Sequence, residues 1–549
     1  MKVLLITSRS WAGYNISPPI GLYHLKTALA RRDIDSEILD FDLMSGEEQL
    51  ERARNGHYSV IGMSVTHINM ADDLDSLMQF REAAFAGPNR CEIVAGGQEA
   101  TLNARQWLET GVVDVCFFGF CNKIFAEYCE QLRAGGFASC TSKEILGDLS
   151  GVAYLGTDGR YISRPSPVLT QQEFDEIFYE DLLKLEVPYE IYWAKARKMR
   201  VDAFNSADFI VETVRLYTSS HCPRKCGFCS SQNFLPLSQG GNSKIIALSA
   251  RKLCEIVLHH SRKYGARAFM FSDDDFPIGG NAGLARFDDF CRLMIDAKRT
   301  GLLPEEVQFF CQSRVLNLME RQRDRSKTVN RERIRLMKDA GFCSIGMGVE
   351  TFSERLLRSP SINKVGTSAD DIHAVIDGLL EIGITPMTFL ILGIPESSVD
   401  DLIDTIRDAA NYLLKGADIG ISTTLKVHPG SPVALYHLKE YSVTEREWCN
   451  PRTGARVKIL DNVLPRDPRM AWMVKELEPQ REGVISKFKS RYGWAVDAIL
   501  PKSLIAILSF RTAADLVGNP ELARELDDMA VRRMEISHGS QRPEAAASE

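Results

Sequence analysis

Residues 219–234 read SSHCPRKCGFCSSQNF and set Cys222, Cys226 and Cys229 in a C-x3-C-x2-C array. Three thiols this close can form a disulfide, bind zinc, hold an iron–sulfur cluster or sit together as buried thiols. Zinc normally takes four ligands. No second Cys-x-x-Cys pair stands nearby, and His221, adjacent to Cys222, is awkward as a fourth ligand. Four-iron clusters are ordinarily held by four thiolates, so three would leave one iron open to a substrate or cofactor. The chain carries 13 cysteines in all. Its opening, MKVLLITSRSWAG, reads as a buried strand rather than a signal peptide. A reducing, cytoplasmic setting is therefore expected, where clustered thiols hold metal or do redox work more often than they form disulfides.

The elements around the array must position it. At 549 residues the chain exceeds one hydrophobic core, and roughly two to four domains are expected. From 1 to 145, the runs KVLLITS, DSEILDFD, YSVIGMSV, CEIVAGG and VVDVCFFG read as strands. PIGLYHLKTALARR, MADDLDSLMQFREAAF and NKIFAEYCEQLRAG read as helices between or after them. Val/Ile-rich strands alternating with helices predict a doubly wound α/β domain with a parallel sheet covered on both faces. Its ligand edge is predicted at Ser8–Pro19, Ser64–Asn69, Gly96–Thr101 and Gly119–Asn122, loops rich in small and polar residues. Residues 146–205 read as a hairpin with a D-G turn followed by a linker. Over 206–435 six further strands alternate with helices, predicting a partial (β/α)6 barrel with its site at the strands' C-terminal ends. The cysteine array directly follows the first of these strands. Residues 436–536 read as mainly helical and 537–549 as a disordered tail.

The single residues have blander readings. Cys91, Cys116, Cys129, Cys254, Cys291 and Cys343 are expected as buried thiols, whereas Cys121 and Cys311 stand at strand ends and could face a site. His67 and His428 read as loop or pocket polar groups, and Trp494 with the apolar run 499–510 as helix core. A net charge of −7 disfavours a nucleic-acid partner. No stretch reaches the roughly 18–20 apolar residues of a membrane span.

The array and several later motifs resemble the radical S-adenosylmethionine superfamily, over about 220 residues. FSDDDF (271–276) lies where that family sets an acidic or Gly-rich loop against the methionine amino group, so the resemblance implies a role for Asp273 and Asp274. CQSRV (311–315) offers Arg314 to the methionine carboxylate, and GMGVETFSERLLRSPSINK (346–364) sets Glu350 near the ribose. LILGIPESS resembles the turn beside the adenine, at Pro395, and KVHPGSP the close of the domain. The front domain resembles the cobalamin-binding domain found ahead of one radical-SAM class. There Ser64, Thr66, Gly96, Gly97 and Thr101 are implied around the corrinoid, with no protein histidine on cobalt. A D-x-H-x-x-G signature is absent. One departure is GFCN (119–122), where relatives often carry a G-E-G-E-like turn.

Taken together, the resemblance implies a 4Fe-4S cluster on Cys222, Cys226 and Cys229, S-adenosylmethionine on its open iron, and cobalamin. A 5′-deoxyadenosyl radical would abstract hydrogen from a small-molecule substrate, and methylcobalamin would deliver a methyl group to the unactivated carbon. An electron donor such as flavodoxin or ferredoxin is implied. The same parts also suit cyclisation, rearrangement or other non-methylating radical chemistry, with or without cobalamin, or a non-catalytic cobalamin-binding regulator. A tRNA methylthiotransferase is disfavoured, lacking a second three-cysteine site and a basic C-terminal module.

Overall fold

Apolar runs too short for a buried helix and rich in β-branched residues become strands in the computed structural model. It describes residues 1–8, 16–66, 69–85, 91–135, 146–203, 211–241, 243–324, 326–496, 498 and 500–539. The front of the chain runs β1 (Lys2–Thr7), α1 (Ile20–Ala30), β2 (Asp35–Leu39), α2 (Gly46–Asn55), β3 (Val60–Ser64), α3 (Met70–Phe85), β4 (Glu92–Gly96), α4 (Gln98–Leu102), α5 (Ala104–Glu109), β5 (Val115–Phe117) and α6 (Asn122–Ala134). The strands pair in parallel in the order β2-β1-β3-β4-β5. Chain direction reverses between β1 and β3, where folds of this kind open a crevice for ligands. Val3, Leu4, Leu5, Val60, Ile61, Ile93 and Val115 are buried, because helices cover both faces.

The hairpin β6 (Val152–Leu155) and β7 (Tyr161–Arg164) turns at Asp158-Gly159 as expected and extends this sheet antiparallel beyond β5. The stretch expected as a linker is instead helical over 171–184 and Tyr189–Ala203. Its aromatic residues explain why: Phe174, Leu182, Tyr189 and Trp193 bury themselves in the barrel's core. Tyr192 meanwhile donates a hydrogen bond to Asp40 of the front domain at 2.8 Å, and Arg31 pairs with Asp181. The stretch is a brace gripping both domains.

The second sheet is built from β8 (Thr213–Leu216), β9 (Ala268–Phe271), β10 (Gln308–Ser313), a small separate hairpin β11 (Met319–Arg321) and β12 (Lys327–Val329), then β13 (Phe342–Glu350), β14 (Thr385–Gly393) and β15 (Asp418–Lys426). Six of them, β8-β9-β10-β13-β14-β15, lie parallel in chain order as a curled half-barrel. Its outer helices start at strong caps. Ser249, Ser368 and Ser398 each accept the third helical N–H, and the last two form reciprocal capping boxes with Asp371 and Asp401.

The C-terminal region departs from a purely helical reading. β16 (Val443–Cys449) and β17 (Arg456–Val463) form an antiparallel hairpin on the edge of β15. The hairpin carries Trp448, Val457 and Ile459 into the front domain's core. Trp448 Nε1 donates to Asp75 at 2.9 Å and Asn450 Nδ2 to the Thr110 carbonyl at 2.8 Å. Helices Pro468–Arg491, Lys502–Leu516 and Pro520–Gly539 follow. Leu504, Ile507, Leu508 and Phe510 are core, as read from sequence. The helix runs through residues 537–539, which were expected in the tail, and 540–549 lie outside the described residues. Among the described residues no helix is long and apolar enough to cross a membrane.

An aromatic cluster joins the domains. Phe120, in the turn after β5, packs edge-on against Phe178 at 5.2 Å, Phe234 at 6.0 Å and Phe174 at 6.2 Å between centroids. Phe120→Ala is expected to cost about 2 kcal/mol and to hasten proteolysis between the domains with far-UV circular dichroism unchanged. An unaltered unfolding midpoint would show that the ring contributes nothing.

Candidate active site

The chain leaves β8 at Leu216 and passes through the three cysteines before entering helix Ser231–Ser238. This loop has no ladder of its own, so other segments hold it. Gly227 donates its N–H to the Ile362 carbonyl at 3.0 Å, and its carbonyl accepts from Val433 N–H at 2.9 Å. The approach is so close that a Cβ on Gly227 would lie 2.1 Å from the Pro360 carbonyl oxygen. Asn363 Nδ2 donates to the Lys225 carbonyl at 2.6 Å, and Gln232 Nε2 to those of Cys226 and Cys229 at 3.3 and 3.4 Å. Phe228 packs beside Ile362, Ile391, Ile394, Leu425 and Val433.

Burial pushes the Cys222 thiol up to about 12, Cys229 to about 11, and Cys226 upward as well. Thiolates here therefore require bound positive charge, which a cluster's irons supply. Among the described residues no three His, Cys, Asp or Glu side chains gather as ligands of one ion. A four-iron cluster asks for a different arrangement, with each thiolate on its own iron. His221 Nδ1 lies 3.1 Å from Ser220 Oγ. The donor set fits a cluster.

The strand ends bring other groups to the same place. Asp273, expected at a cofactor, is engaged by the protein. Its carboxylate accepts the Thr218 N–H at 3.0 and 3.1 Å and the Ser219 hydroxyl, and burial raises its pKa to about 6. It ties β9 to β8. Asp274 lines the open cavity, and burial raises its pKa too. Asp275, fully buried, accepts from Arg314 Nε at 3.1 Å and Asn317 Nδ2 at 2.6 Å, with Arg224 of the cysteine loop at 4.0 Å. Arg314 is thus held by Asp275 after β10. Glu350 ends β13 at φ 67° and pairs with Lys364 Nζ at 2.9 Å. Burial works against the Lys364 charge, but Glu350 and the nearby Cys226 raise its pKa overall. Lys364, Glu350, Arg314 and Asp275 all act electrostatically on Cys226, so the structure gathers them around it. Pro395 lies in the turn after β14, its carbonyl accepting Arg466 N–H at 2.9 Å, and Ile394 beside it belongs to the apolar cluster that holds Phe228.

A cavity of about 420 Å³ enters the front domain between α1, α6 and the sheet. Ser64, Gly96, Gly97, Phe120 and Cys121 line it, and Ser219, Ser220, His221, Ser231, Asp273 and Asp274 form its far wall. Gln98 Nε2 donates to Ser230 Oγ at 3.0 Å, tying its two walls together. A Cβ on Gly96 would meet only Cys121 Sγ, at 3.9 Å, whereas one on Gly97, which sits at φ 95°, would lie 3.0 Å from the Val65 carbonyl oxygen. Two expected residues are placed elsewhere. Thr101 Oγ1 donates to the Gly97 carbonyl at 2.8 Å and accepts Gly119 N–H at 3.0 Å, so it fastens loops and does not line the cavity. Thr66 stands outside the lining, beside residues 67 and 68. His67 and residues 9–15 of the first loop lie outside the described residues. Cys311 is buried in the barrel core.

Sequence reasoning passed over Gly227, Asn363, Lys364, Asp275 and Gln98. All five stood in segments already singled out, Gly227 between two cysteines, Asp275 within the acidic triplet, Gln98 in the loop 96–101, and Asn363 and Lys364 at the end of the motif 346–364, but none had been given a role.

Residues 216–409 match the Radical SAM superfamily model, and residues 13–120 the B12 binding domain model. No curated protein is significantly similar in sequence. The fold is similar to that of OxsB, a cobalamin-dependent S-adenosylmethionine radical enzyme with aqua-cobalamin bound, at TM-score 0.64 and 15% identity, over 98% of this chain and 72% of that chain. It is also similar to TsrM from Kitasatospora setae, a radical S-adenosylmethionine methyltransferase with tryptophan substrate and an S-adenosylmethionine analogue bound. There the TM-score is 0.60 and identity 13%, over 96% of this chain and 99% of that chain. At such identities the likeness is one of fold. The chain thus carries a Radical SAM superfamily domain behind a B12 binding domain. Its cofactors are a 4Fe-4S cluster, S-adenosylmethionine and cobalamin.

Cys222→Ala, Cys226→Ala and Cys229→Ala are each expected to abolish the brown four-iron chromophore. Gly227→Val is expected to do the same with all three thiols intact, because its side chain cannot share space with the Pro360 carbonyl. Full iron content in Gly227→Val after anaerobic reconstitution would show that the loop seats without that approach.

Proposed function

We propose that the chain is a cobalamin-dependent methyltransferase acting on an unactivated carbon of a small molecule. The observation that carries this reading is the shared cavity: Ser64, Gly96 and Gly97 of the front domain face the same space as Ser219, His221, Ser231 and Asp274 beside the cysteine loop. In this reading residues 1–145 hold the corrinoid and 206–435 the cluster and S-adenosylmethionine, while 146–205 and 436–536 brace the two. The methyltransferase TsrM shares the fold, which supports the reading.

When bound, the cluster and S-adenosylmethionine supply a radical able to abstract hydrogen, and cobalamin supplies a transferable methyl group. The chain's own residues position and exclude. Cys222, Cys226 and Cys229 hold the cluster, and Lys364 offsets negative charge beside Cys226. Asp275 keeps the Arg314 guanidinium oriented for a carboxylate, and Glu350, Asp274 and the turn at Pro395 offer acceptors and an apolar edge to the rest of S-adenosylmethionine. Phe228, Ile362, Ile391 and Ile394 would exclude water behind the cysteine loop. Reducing equivalents come from a flavodoxin- or ferredoxin-class donor.

Glu350→Gln is expected to weaken S-adenosylmethionine binding by about one to two decades, the worth of a charged hydrogen bond, with iron content unchanged. Equal affinity by calorimetry would remove Glu350 from that site. The methyl-transfer reading is tested on protein loaded with cobalamin, reduced to Co(I) and mixed with S-adenosylmethionine carrying a deuterated methyl group. Labelled methylcobalamin and S-adenosylhomocysteine are expected in equal amounts. Formation of 5′-deoxyadenosine with no labelled corrinoid would instead leave a radical enzyme without methyl transfer.

A further inference from the structure

The two sides of the cysteine loop differ. The cavity meets the loop's flanks at Ser219, Ser220, His221 and Ser231, on the side of the front domain, and Lys225, Cys226 and Gly227 do not line it. Those three turn toward two supporting segments instead. The Lys225 carbonyl accepts from Asn363, and Gly227 bonds through its backbone to Ile362 and Val433. Each supporting segment reaches the surface within three residues of its bond to Gly227, and each arrives there with apolar side chains. Val365 is 73% exposed, Leu435 45% and Tyr436 73%. Exposed apolar residues scattered singly need no explanation, but these lie on the two segments that clamp one short stretch of the loop.

Charge frames the apolar residues. Lys225 is exposed one Cα step, about 3.8 Å, from Cys226. Lys439 is exposed as well, one turn beyond Tyr436 in the short helical turns Val433–His437 and Leu438–Glu440. The carboxylate next to it, Glu440, is paired with His437 at 2.9 Å. Interfaces of this make-up set an aromatic and apolar centre within a charged rim that meets the opposite charge on the partner. The partner is therefore acidic, and its own contact centre is apolar. The exposed dimethylbenzene edge of a protein-bound flavin is flat and apolar, whereas a ferredoxin cluster lies beneath a polar backbone loop. Resting on the reading of the cysteine loop as a reducible cluster site, we propose that Val365, Leu435 and Tyr436, rimmed by Lys225 and Lys439, dock an acidic flavodoxin-class protein with its flavin edge on Tyr436. One electron leaves the flavin hydroquinone, which becomes the semiquinone, and enters the cluster held by Cys222, Cys226 and Cys229, whose charge falls by one.

The test mixes full-length, cluster-reconstituted protein with photoreduced flavodoxin and follows the reduced cluster by rapid freezing and electron paramagnetic resonance. Dithionite serves as a reductant that needs no docking, and calorimetry gives the affinity for oxidised flavodoxin. In Tyr436→Ala that affinity is expected to fall about tenfold or more, as for a central aromatic anchor, with reduction by flavodoxin slowed in step and reduction by dithionite unchanged. Val365→Ser, on the other segment, is expected to weaken the same affinity. Lys439→Glu is expected to slow reduction by flavodoxin at low salt and to match wild type at high salt, where a rim charge is screened. Iron content and circular dichroism report folding of each variant. Unchanged flavodoxin affinity in Tyr436→Ala and Val365→Ser, or a slowing with dithionite as large as with flavodoxin, would overturn the proposal. An equal loss with reduced ferredoxin in Tyr436→Ala would also overturn it, because the surface would then not select a flavin. Wild-type protein with no four-iron chromophore after anaerobic reconstitution would sink the cluster reading itself.

Discussion

The cysteine loop carries no helix or strand until Ser231, so its shape rests on contacts lent by other segments, above all the backbone pair at Gly227. One hydrogen bond reaches the segment after β13 and the other the segment after β15, which lie on neighbouring parts of the half-barrel rim. The loop therefore reaches its shape only once β13, β14 and β15 are in register. That closeness explains why a residue with no side chain stands between the second and third cysteines. Any side chain there would separate the loop from the rim.

Charge balance follows from the same closeness. Around Cys226 stand two cations, Lys364 and Arg314, and two carboxylates, Glu350 and Asp275, each cation paired with one carboxylate. Buried pairs of this kind add little stability by themselves, yet removing one partner leaves a buried charge uncompensated. Here the pairs also fix direction: Asp275 orients Arg314, and Lys364, donating to the Gly348 carbonyl, holds Glu350 at its left-handed turn.

Much of this was legible in the sequence, because period and composition act locally. The parallel strands of both sheets, the helices between them and the hairpin at 152–164 follow from alternation and turn residues, and the cysteine array follows from spacing alone. What was not legible depends on partners distant in sequence. The stretch 166–203 reads as a linker by composition, and only the barrel core makes Phe174 and Trp193 helix residues. β16 and β17 show a period-two pattern among charged residues, but their strand character depends on the free edge of β15 and on the front domain's apolar surface. Asp273 and Asp274 are adjacent to Asp275, and nothing local says which of the three meets Arg314. Thr101 looks like a ligand hydroxyl until Gly119 supplies its partner.

The turn at 119–122 joins these threads. At its second position stands Phe120. An acid at that position would face the rings of Phe174, Phe178 and Phe234. The ring is therefore coupled to the helical brace at 171–184. With Phe120 inside, the seam beside the cavity is closed by apolar packing, and the polar tie from Gln98 to Ser230 is left to set the distance between the front domain and the cysteine loop.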